Sequence, residues 1–212
     1  MTSVDKVSVN TAIRLLLDKR AILWEERCEE MEGIIDQAIQ FAAVKHAGQM
    51  RKSTAVPYIS HPFAVAMLLQ EAGHGAEVVA AGILHDTLED TSATAEEILT
   101  LFGAVVLKLV EAASEPDKSL PWEDRKRHTM SSLAQRSDDE LAVIIADKLH
   151  NLRSIRLDID RHGEKVWSRF NRGKEQQAWY YQGIVNAVWE RNGQVPLIAD
   201  LQKEVDLVFS NA

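Results

Sequence analysis

The chain has 212 residues, of which 46% are hydrophobic and 26% are charged, and its formal net charge is −8. This length is sufficient for one globular domain with a substantial core, and no apolar run reaches the roughly 20 residues that a membrane-spanning helix requires. The acidic balance argues against broad electrostatic binding to nucleic acid or to acidic membranes, because such binding needs many Lys and Arg side chains.

The N-terminal segment, MTSVDKVSVNTAIRLLLDKR, mixes acids and bases and has no uninterrupted apolar stretch. It therefore does not resemble a signal peptide, and we expect a cytoplasmic location. Cys28 is the only cysteine, which excludes an intramolecular disulfide and a cluster of thiolate ligands. Any bound metal must then be held by His and carboxylate side chains.

Apolar residues recur at helical spacing along the chain, and no segment shows the sustained alternation expected of a strand. The sequence therefore predicts an all-α fold, a helical bundle of about ten helices. In chain order, we expect helices over residues 10–30, 33–47, 61–72, 76–90, 95–102, 104–113, 122–135, 138–156, 165–191 and 197–208. We expect one domain over 1–212, with the helix at 10–30 and the helices of 165–208 packed on a central region, 33–156.

Local chemical signals mark several of these helix boundaries. Ser60 is expected to cap the helix that begins at residue 61, and Gly73 is expected to end it. Two pairs have the spacing of a capping box: Thr94 with Glu97, and Ser137 with Glu140. The two expected loops that carry basic residues are 48–59 and 114–121.

Four side chains within these helices have the chemistry of metal ligands: His61, His85, Asp86 and Asp147. Each of them alone would more often be solvated or hydrogen-bonded. However, His85 and Asp86 follow the apolar stretch VVAAGIL, and Asp147 follows AVIIA. Burying an unpaired carboxylate costs several kcal/mol, so acids in apolar helices favour a shared cation. Two imidazoles and two carboxylates suit Mn²⁺, Fe²⁺, Zn²⁺ or Mg²⁺ and leave positions for water and substrate oxygens.

Glu89 extends this group of side chains. It lies four residues after His85 and three after Asp86, so the three share one face of a helix. Glu89 and Asp90 also lie near the expected C-terminus of that helix, where acids oppose the helix dipole. The alternative to a functional role for Glu89 and Asp90 is that they are exposed acids on the protein surface. Acids at this end of a helix lower its stability, so stability alone does not explain them.

The motifs YISHP, LHDTLEDT and ADKLHNLR occur in this order and contain these residues. They resemble the HD phosphohydrolases and, more closely, the hydrolase domain of RelA/SpoT homologues, over roughly residues 33–156. The stretch DKSLPWEDRKR resembles the stand-alone small alarmone hydrolases, such as the metazoan SpoT homologues. The resemblance implies an HD-domain fold that hydrolyses the 3′-pyrophosphate of (p)ppGpp to release pyrophosphate and GDP or GTP, with (p)ppApp as a further candidate substrate.

The resemblance also implies roles for individual residues. The metal ligands would hold one divalent ion, usually Mn²⁺: His61, His85, Asp86 and Asp147. Glu89 and Asp90 would assist the activation of water. The substrate-binding residues would be Arg51, Lys52, Lys118, Arg125 and Asn151. The alternative for Arg51 and Lys52 is an ordinary solvated loop, and we expect Lys126 and Arg127 to form a solvated helix face.

Beyond residue 156 the resemblance is weaker, so the sequence does not define a base preference. Lys174 is a candidate to reach a ligand, whereas Trp179 and Tyr180 share helical spacing with Ile184 and Val188 and are expected in the core. The remaining histidines match no ligand position and are expected to be structural or exposed: His46, His74, His128, His150 and His162.

Two other functions are compatible with part of this pattern. An HD-family nucleotidase or cyclic-nucleotide phosphodiesterase would share the four ligands, but it has no reason to retain the RK, EDT and DKS motifs together. A non-catalytic nucleotide-sensing module would be expected to lose a ligand or the ED pair, and the sequence has them all. We expect a small-molecule nucleotide as partner, neither nucleic acid nor membrane, and the sequence does not indicate an oligomeric state.

Overall fold

The structure of the protein is a computed structural model that describes residues 33–52, 54–115, 119–191 and 195–209. The helix expected at 10–30 lies outside the described residues, as do Cys28 and Lys118. Within the described ranges the regular structure is helical, apart from one isolated antiparallel bridge between Met50 and Pro57. The predicted all-α fold is confirmed.

The helices are numbered here in chain order. They are α1 (33–45), α2 (Ser60–Glu71), α3 (Ala76–Leu84), α4 (Thr87–Asp90), α5 (Ala95–Ala113), α6 (Trp122–Ser132), α7 (Asp138–His162), α8 (Lys174–Trp189) and α9 (Ile198–Phe209). Two 3₁₀ helices, Leu133–Gln135 and Gly163–Arg169, follow α6 and α7.

The local signals for helix ends are mostly confirmed. Both capping boxes form, at the starts of α5 and α7. Gly73, with a φ of 84°, follows the end of α2. The expected cap at Ser60 is wrong, because the backbone is already helical at Ile59 and Ser60 lies inside the first turn. The Ser60 hydroxyl instead donates to the Pro57 carbonyl at 2.8 Å.

Three predicted helices have different limits in the structure. The expected helix over 76–90 breaks at residues 85–86, where the Thr87 hydroxyl donates to the Leu84 carbonyl at 2.7 Å. The helix that begins at 138 continues to His162, beyond the expected end at 156. The expected helix over 165–191 is wrong in its first part, because α8 begins only after Gly173. By contrast, non-helical backbone at Gly103, with a φ of 82°, separates the two segments expected at 95–102 and 104–113.

Helix α7 lies between two hydrophobic clusters and contributes one face to each. Ala142, Val143 and Ala146 pack against α2, α3 and α5. Leu141, Ile145 and the following buried positions pack against residues of α8 and α9. The middle of α7 is therefore buried on both sides, and Asp147, a polar residue there, is buried between the surrounding helices.

Among the helices of the described residues, none combines the length and the hydrophobicity that a membrane span requires.

Candidate active site

Three structural elements supply the four candidate ligands. His61 lies in the first turn of α2, His85 and Asp86 lie at the break between α3 and α4, and Asp147 lies in the middle of α7. Because α2, α3 and α7 pack against one another, these positions meet although they are far apart in sequence. The break after Leu84 directs consecutive side chains toward the same point.

The two imidazoles face the same pair of carboxylate oxygens. Nε2 of His61 lies 3.1 Å from Oδ1 of Asp147 and 3.6 Å from Oδ2 of Asp86. Nε2 of His85 lies 3.0 Å from Oδ2 of Asp86 and 3.7 Å from Oδ1 of Asp147. In addition, ligand atoms of His61, His85 and Asp86 all lie within 4.8 Å of one another. The structure thus brings together the four ligands expected from the sequence.

The chemistry of His85 shows that this arrangement fits a metal ion. Its Nδ1 lies 2.8 Å from the Gly82 carbonyl and must donate to it, so a neutral ring carries a lone pair on Nε2. That Nε2 is buried and, although Oδ2 of Asp86 is 3.0 Å away, it makes no hydrogen bond of good geometry with the described residues. A lone pair that faces carboxylate oxygens is repulsive unless a proton or a cation lies between them. A histidine whose second nitrogen donates to a backbone carbonyl is a common metal ligand.

The charges of the site favour a cation. Burial raises the pKa of Asp147, but Lys148 and the two imidazoles outweigh it and hold that pKa well below its usual value. Burial lowers the pKa of His85, but Asp86 and Asp147 outweigh it and hold that pKa well above its usual value. Burial likewise raises the pKa of Asp86, but the charge of His85 and its hydrogen bond outweigh it and hold that pKa below its usual value. Both carboxylates are therefore ionised near neutral pH, and in the absence of metal they attract a proton to His85.

Further side chains orient the ligands. The Tyr58 hydroxyl donates to Oδ2 of Asp86 at 2.5 Å. Lys148 donates to Oδ2 of Asp147 at 2.6 Å, and Asn151 donates to Oδ1 at 2.6 Å. Bonds of this kind fix the direction of a carboxylate toward a metal.

His150 orients the imidazole of His61. Its Nδ1 lies 2.7 Å from Nδ1 of His61. Burial, with His61 and Arg51 nearby, lowers the pKa of His150 to about 4, so this ring is neutral at pH 7 and can accept the bond from His61.

The sequence reasoning missed the contacts of Tyr58, Lys148 and His150. All three stand inside the quoted motifs, and the short spacing to a ligand was an available signal.

The candidate catalytic acids lie on the short helix that follows the ligands. Glu89 is half-buried, and its Oε2 accepts a hydrogen bond from the Glu115 amide at 3.1 Å. Asp90 is exposed, and its carbonyl accepts from the Gln49 side chain at 2.7 Å. Burial is the largest cause that raises the pKa of Tyr58, followed by the charge of Asp86 and its hydrogen bond, and then by the charge of Asp90.

A cavity of about 570 Å³ adjoins this site. Its basic lining residues are Arg51, Lys52, Lys126, Lys148, Arg161 and Arg169. Its aromatic lining residues are Tyr58, Trp122, Phe170, Tyr180 and Tyr181. Tyr58, Lys148 and Asn151 line the cavity and also bond to candidate ligands. The cavity therefore shares three side chains with the candidate metal site, and its wall combines cations with aromatic rings.

The expected substrate-binding residues divide into three groups. Arg51, Lys52 and Asn151 line the cavity, and Arg51 donates to Oδ1 of Asn151 at 3.2 Å. Lys118 lies outside the described residues. Arg125 is absent from the residues that line this cavity and is ion-paired with Glu115.

Lys126 and Arg127 on α6 were both expected on a solvated helix face, and the structure corrects this for Lys126. Lys126 is only 14% exposed and its ammonium lies 4.7 Å from the centre of the Tyr180 ring, so it does not belong to a solvated face. Arg127, the next residue, is 63% exposed, as expected. The difference arises because α6 packs against α8, which covers one side of α6 only.

Trp179 and Tyr180 on α8 were both expected in the core, and the structure corrects this for Trp179. Tyr180 is 4% exposed and belongs to the core, as expected. The same expectation for Trp179 is wrong, because it is 40% exposed, with its ring 6.0 Å from that of Trp122. Lys174 pairs with Glu164 at 3.4 Å and does not line the cavity.

The fold and the site are those of a metal-dependent HD phosphohydrolase, and comparison with known proteins agrees. Residues 38–176 match the family model described as HD domain. The guanosine-3′,5′-bis(diphosphate) 3′-pyrophosphohydrolase MESH1 of Danio rerio is 38% identical over 154 residues, which are 71% of this chain and 82% of that protein. The Homo sapiens MESH1 is 40% identical over 162 residues, which are 75% of this chain and 87% of that protein.

Two solved structures are also similar. The crystal structure of lmo0812 from Listeria monocytogenes EGD-e has a TM-score of 0.65 and 39% identity, and the match covers 71% of this chain and 99% of the other. A metazoan orthologue of SpoT that hydrolyses ppGpp has a TM-score of 0.67 and 29% identity, with 84% and 94% covered. The chain belongs to the HD-domain family and, within it, to the family of the MESH1 pyrophosphohydrolases.

Proposed function

We propose that this chain hydrolyses the 3′-pyrophosphate of (p)ppGpp and releases pyrophosphate with GDP or GTP. The observation that carries the proposal is the convergence of two imidazoles and two ionised carboxylates beside a basic, aromatic cavity, with which they are connected through Tyr58, Lys148 and Asn151. The relatives named above carry this activity in their names. (p)ppApp is a further candidate substrate, since the cavity offers aromatic surface to any purine.

One divalent ion, which we propose to be Mn²⁺, would be held by the four ligands: His61, His85, Asp86 and Asp147. Two nitrogens and two carboxylate oxygens suit such an ion. When bound, the ion supplies Lewis acidity, which lowers the pKa of water and stabilises charge on phosphoryl oxygens.

The protein's own side chains would carry the proton transfer. Glu89, with Asp90 beside it, accepts the proton of the attacking water. The water oxygen forms a bond to the phosphorus attached at the 3′ oxygen, the bond from that phosphorus to the 3′ oxygen breaks, and the 3′ oxygen gains a proton. Tyr58 and Asn151 keep the ligand carboxylates in position during this step.

Binding of a highly charged nucleotide to a chain with a net charge of −8 requires local cations. Arg51 and Lys52 lie in the cavity wall, where they would pair with phosphates, and Asn151 would donate to the nucleotide. We retain Lys118 as a substrate-binding residue because the DKS motif matches the stand-alone hydrolases. We further propose that the chain forms one HD-type domain and works in the cytoplasm on a free nucleotide, with neither nucleic acid nor membrane as partner.

The test is a measurement of pyrophosphate release from ppGpp and from ppApp by chelator-treated protein, with and without added Mn²⁺. We expect release that depends on metal. Absence of release from both nucleotides in the presence of metal would refute the proposal. Phosphate release from mononucleotides or cleavage of cyclic nucleotides instead would favour the nucleotidase or phosphodiesterase alternative, and tight binding without turnover would favour a sensing module.

A further inference from the structure

Two cations of α6 hold one carboxylate at the end of α5. Arg125 Nη1 bonds to Oε2 of Glu115, and Lys126 Nζ bonds to Oε1. The three side chains are 21%, 14% and 13% exposed for Arg125, Lys126 and Glu115. Because each oxygen has its own cation and solvent screening is weak, the carboxylate is held in one orientation.

The backbone of the same residue contacts a proposed catalytic acid. The Glu115 amide donates to Oε2 of Glu89 at 3.1 Å. Glu115 directly follows Ser114, whose hydroxyl and amide both bond to the Val110 carbonyl at the end of α5. The amide is thus oriented from one side by the helix end and from the other by the ion pairs. These contacts connect α6 to the carboxylate of Glu89 through Glu115.

We propose that Glu115 is a positioning residue for Glu89, and that Arg125 acts on the reaction through Glu115 rather than by contacting a substrate phosphate. The inference rests on the proposed function, in which Glu89 accepts the proton of the attacking water. It agrees with the position of Arg125, which does not line the cavity. Lys126 does line the cavity, so Arg125 is the cleaner residue to test.

A different role for the same ion pairs makes opposite predictions. If Glu115 were a counter-anion that a substrate phosphate displaces, loss of its charge would strengthen substrate binding, whereas loss of Arg125 would weaken it. KM would then change in opposite directions. If Glu115 positions Glu89, both changes lower kcat, KM stays nearly constant, and the effects are not additive because both variants disturb one contact.

The experiment is steady-state kinetics of the metal-loaded protein with ppGpp, for Glu115→Gln, Arg125→Ala and the double variant. We expect kcat to fall about 10-fold in each, the double variant included, since a hydrogen bond to a charged group is being disturbed. KM should stay within about 2-fold. Arg125→Lys should restore most of kcat because it keeps the charge. Arg127→Ala, which removes a charge from the adjacent exposed position, is the matched control and should behave as wild type.

A second measurement does not depend on the substrate. Exchange of the Glu115 amide hydrogen, followed by NMR in the absence of nucleotide, should be faster in Arg125→Ala than in wild type and in Arg127→Ala. Opposite changes in KM, an unchanged kcat in the variants, or an unchanged exchange rate would each overturn the inference. Failure of the wild type to cleave ppGpp would instead refute the proposed function, and the exchange rate would still decide whether Arg125 controls the Glu115 amide.

Discussion

Replacing Tyr58 by Phe removes a single hydroxyl that donates to Oδ2 of the candidate ligand Asp86 at 2.5 Å. Burial, followed by the charge of Asp86, raises the pKa of Tyr58 above its usual value, so the hydroxyl is protonated and donates at any working pH. A hydrogen bond to a charged acceptor contributes about 1.5–3 kcal/mol. The ring itself remains in Phe, so the packing around it is kept.

At 1.36 kcal/mol for each factor of ten, this loss corresponds to a metal affinity that is about 10- to 100-fold weaker, which is the range found for residues that orient metal ligands. The dissociation constant for Mn²⁺ can be measured by competition with a chelator of known affinity. At saturating metal, kcat should recover most of its wild-type value, because the ligands themselves are intact.

Tyr181→Phe is the matched control, since it makes the same chemical change in the wall of the same cavity. It should leave metal affinity within about 2-fold of wild type, as expected when no ligand is disturbed. If Tyr58→Phe bound metal as tightly as this control, the claim that Tyr58 orients a metal ligand would be refuted.

Three further predictions follow from the same contacts. Asp147→Ala should abolish turnover and weaken metal binding, whereas Glu89→Ala should keep metal binding and slow turnover by about 10²–10⁴-fold. Calorimetry measures metal binding and pyrophosphate release measures turnover, so the two effects can be separated. Equal loss of metal binding in both variants would contradict the assigned roles. Because Asp86 and Asp147 outweigh burial and hold the pKa of His85 well above its usual value, the metal-free protein binds a proton that the metal must displace. Metal affinity should therefore fall as pH falls, with proton release detected by titration in buffers of different ionisation enthalpy, and a pH-independent affinity would exclude this account. Leu149→Ala, at a side chain with 0% exposure, should lower the free energy of unfolding by about 2–5 kcal/mol in urea denaturation, and a loss below about 1 kcal/mol would mean that the core can collapse around this position.

The sequence predicted the helical class and several helix ends because these depend on local chemistry. Apolar spacing places side chains on one face of a helix whatever lies beyond it, and a capping box is complete within four residues. Both capping boxes and the interruption at Gly103 were predictable on this basis. The break of the helix at residues 85–86 was not, because apolar residues on both sides of the break continue the same pattern.

The four candidate ligands were also recognisable from sequence. Charged side chains inside strongly apolar helices need a compensating partner, and this cost is visible before any partner is known. Their convergence at 3.0–3.7 Å, however, depends on how α2, α3 and α7 pack. That packing also decides which residues from other segments, such as His150 and Tyr58, become contacts of the ligands.

Lys126 and Arg127 show what the sequence by itself could not decide. They are adjacent, both basic, and nothing in their local sequence distinguishes a cavity residue from a solvated one, yet they are 14% and 63% exposed. Only the packing of α8 against α6, and the ion pair of Lys126 with Glu115 at the end of α5, separate the buried Lys126 from the exposed Arg127. Local periodicity and ligand chemistry were determined by the sequence, whereas the partner of each charged side chain was decided by tertiary contacts between distant segments.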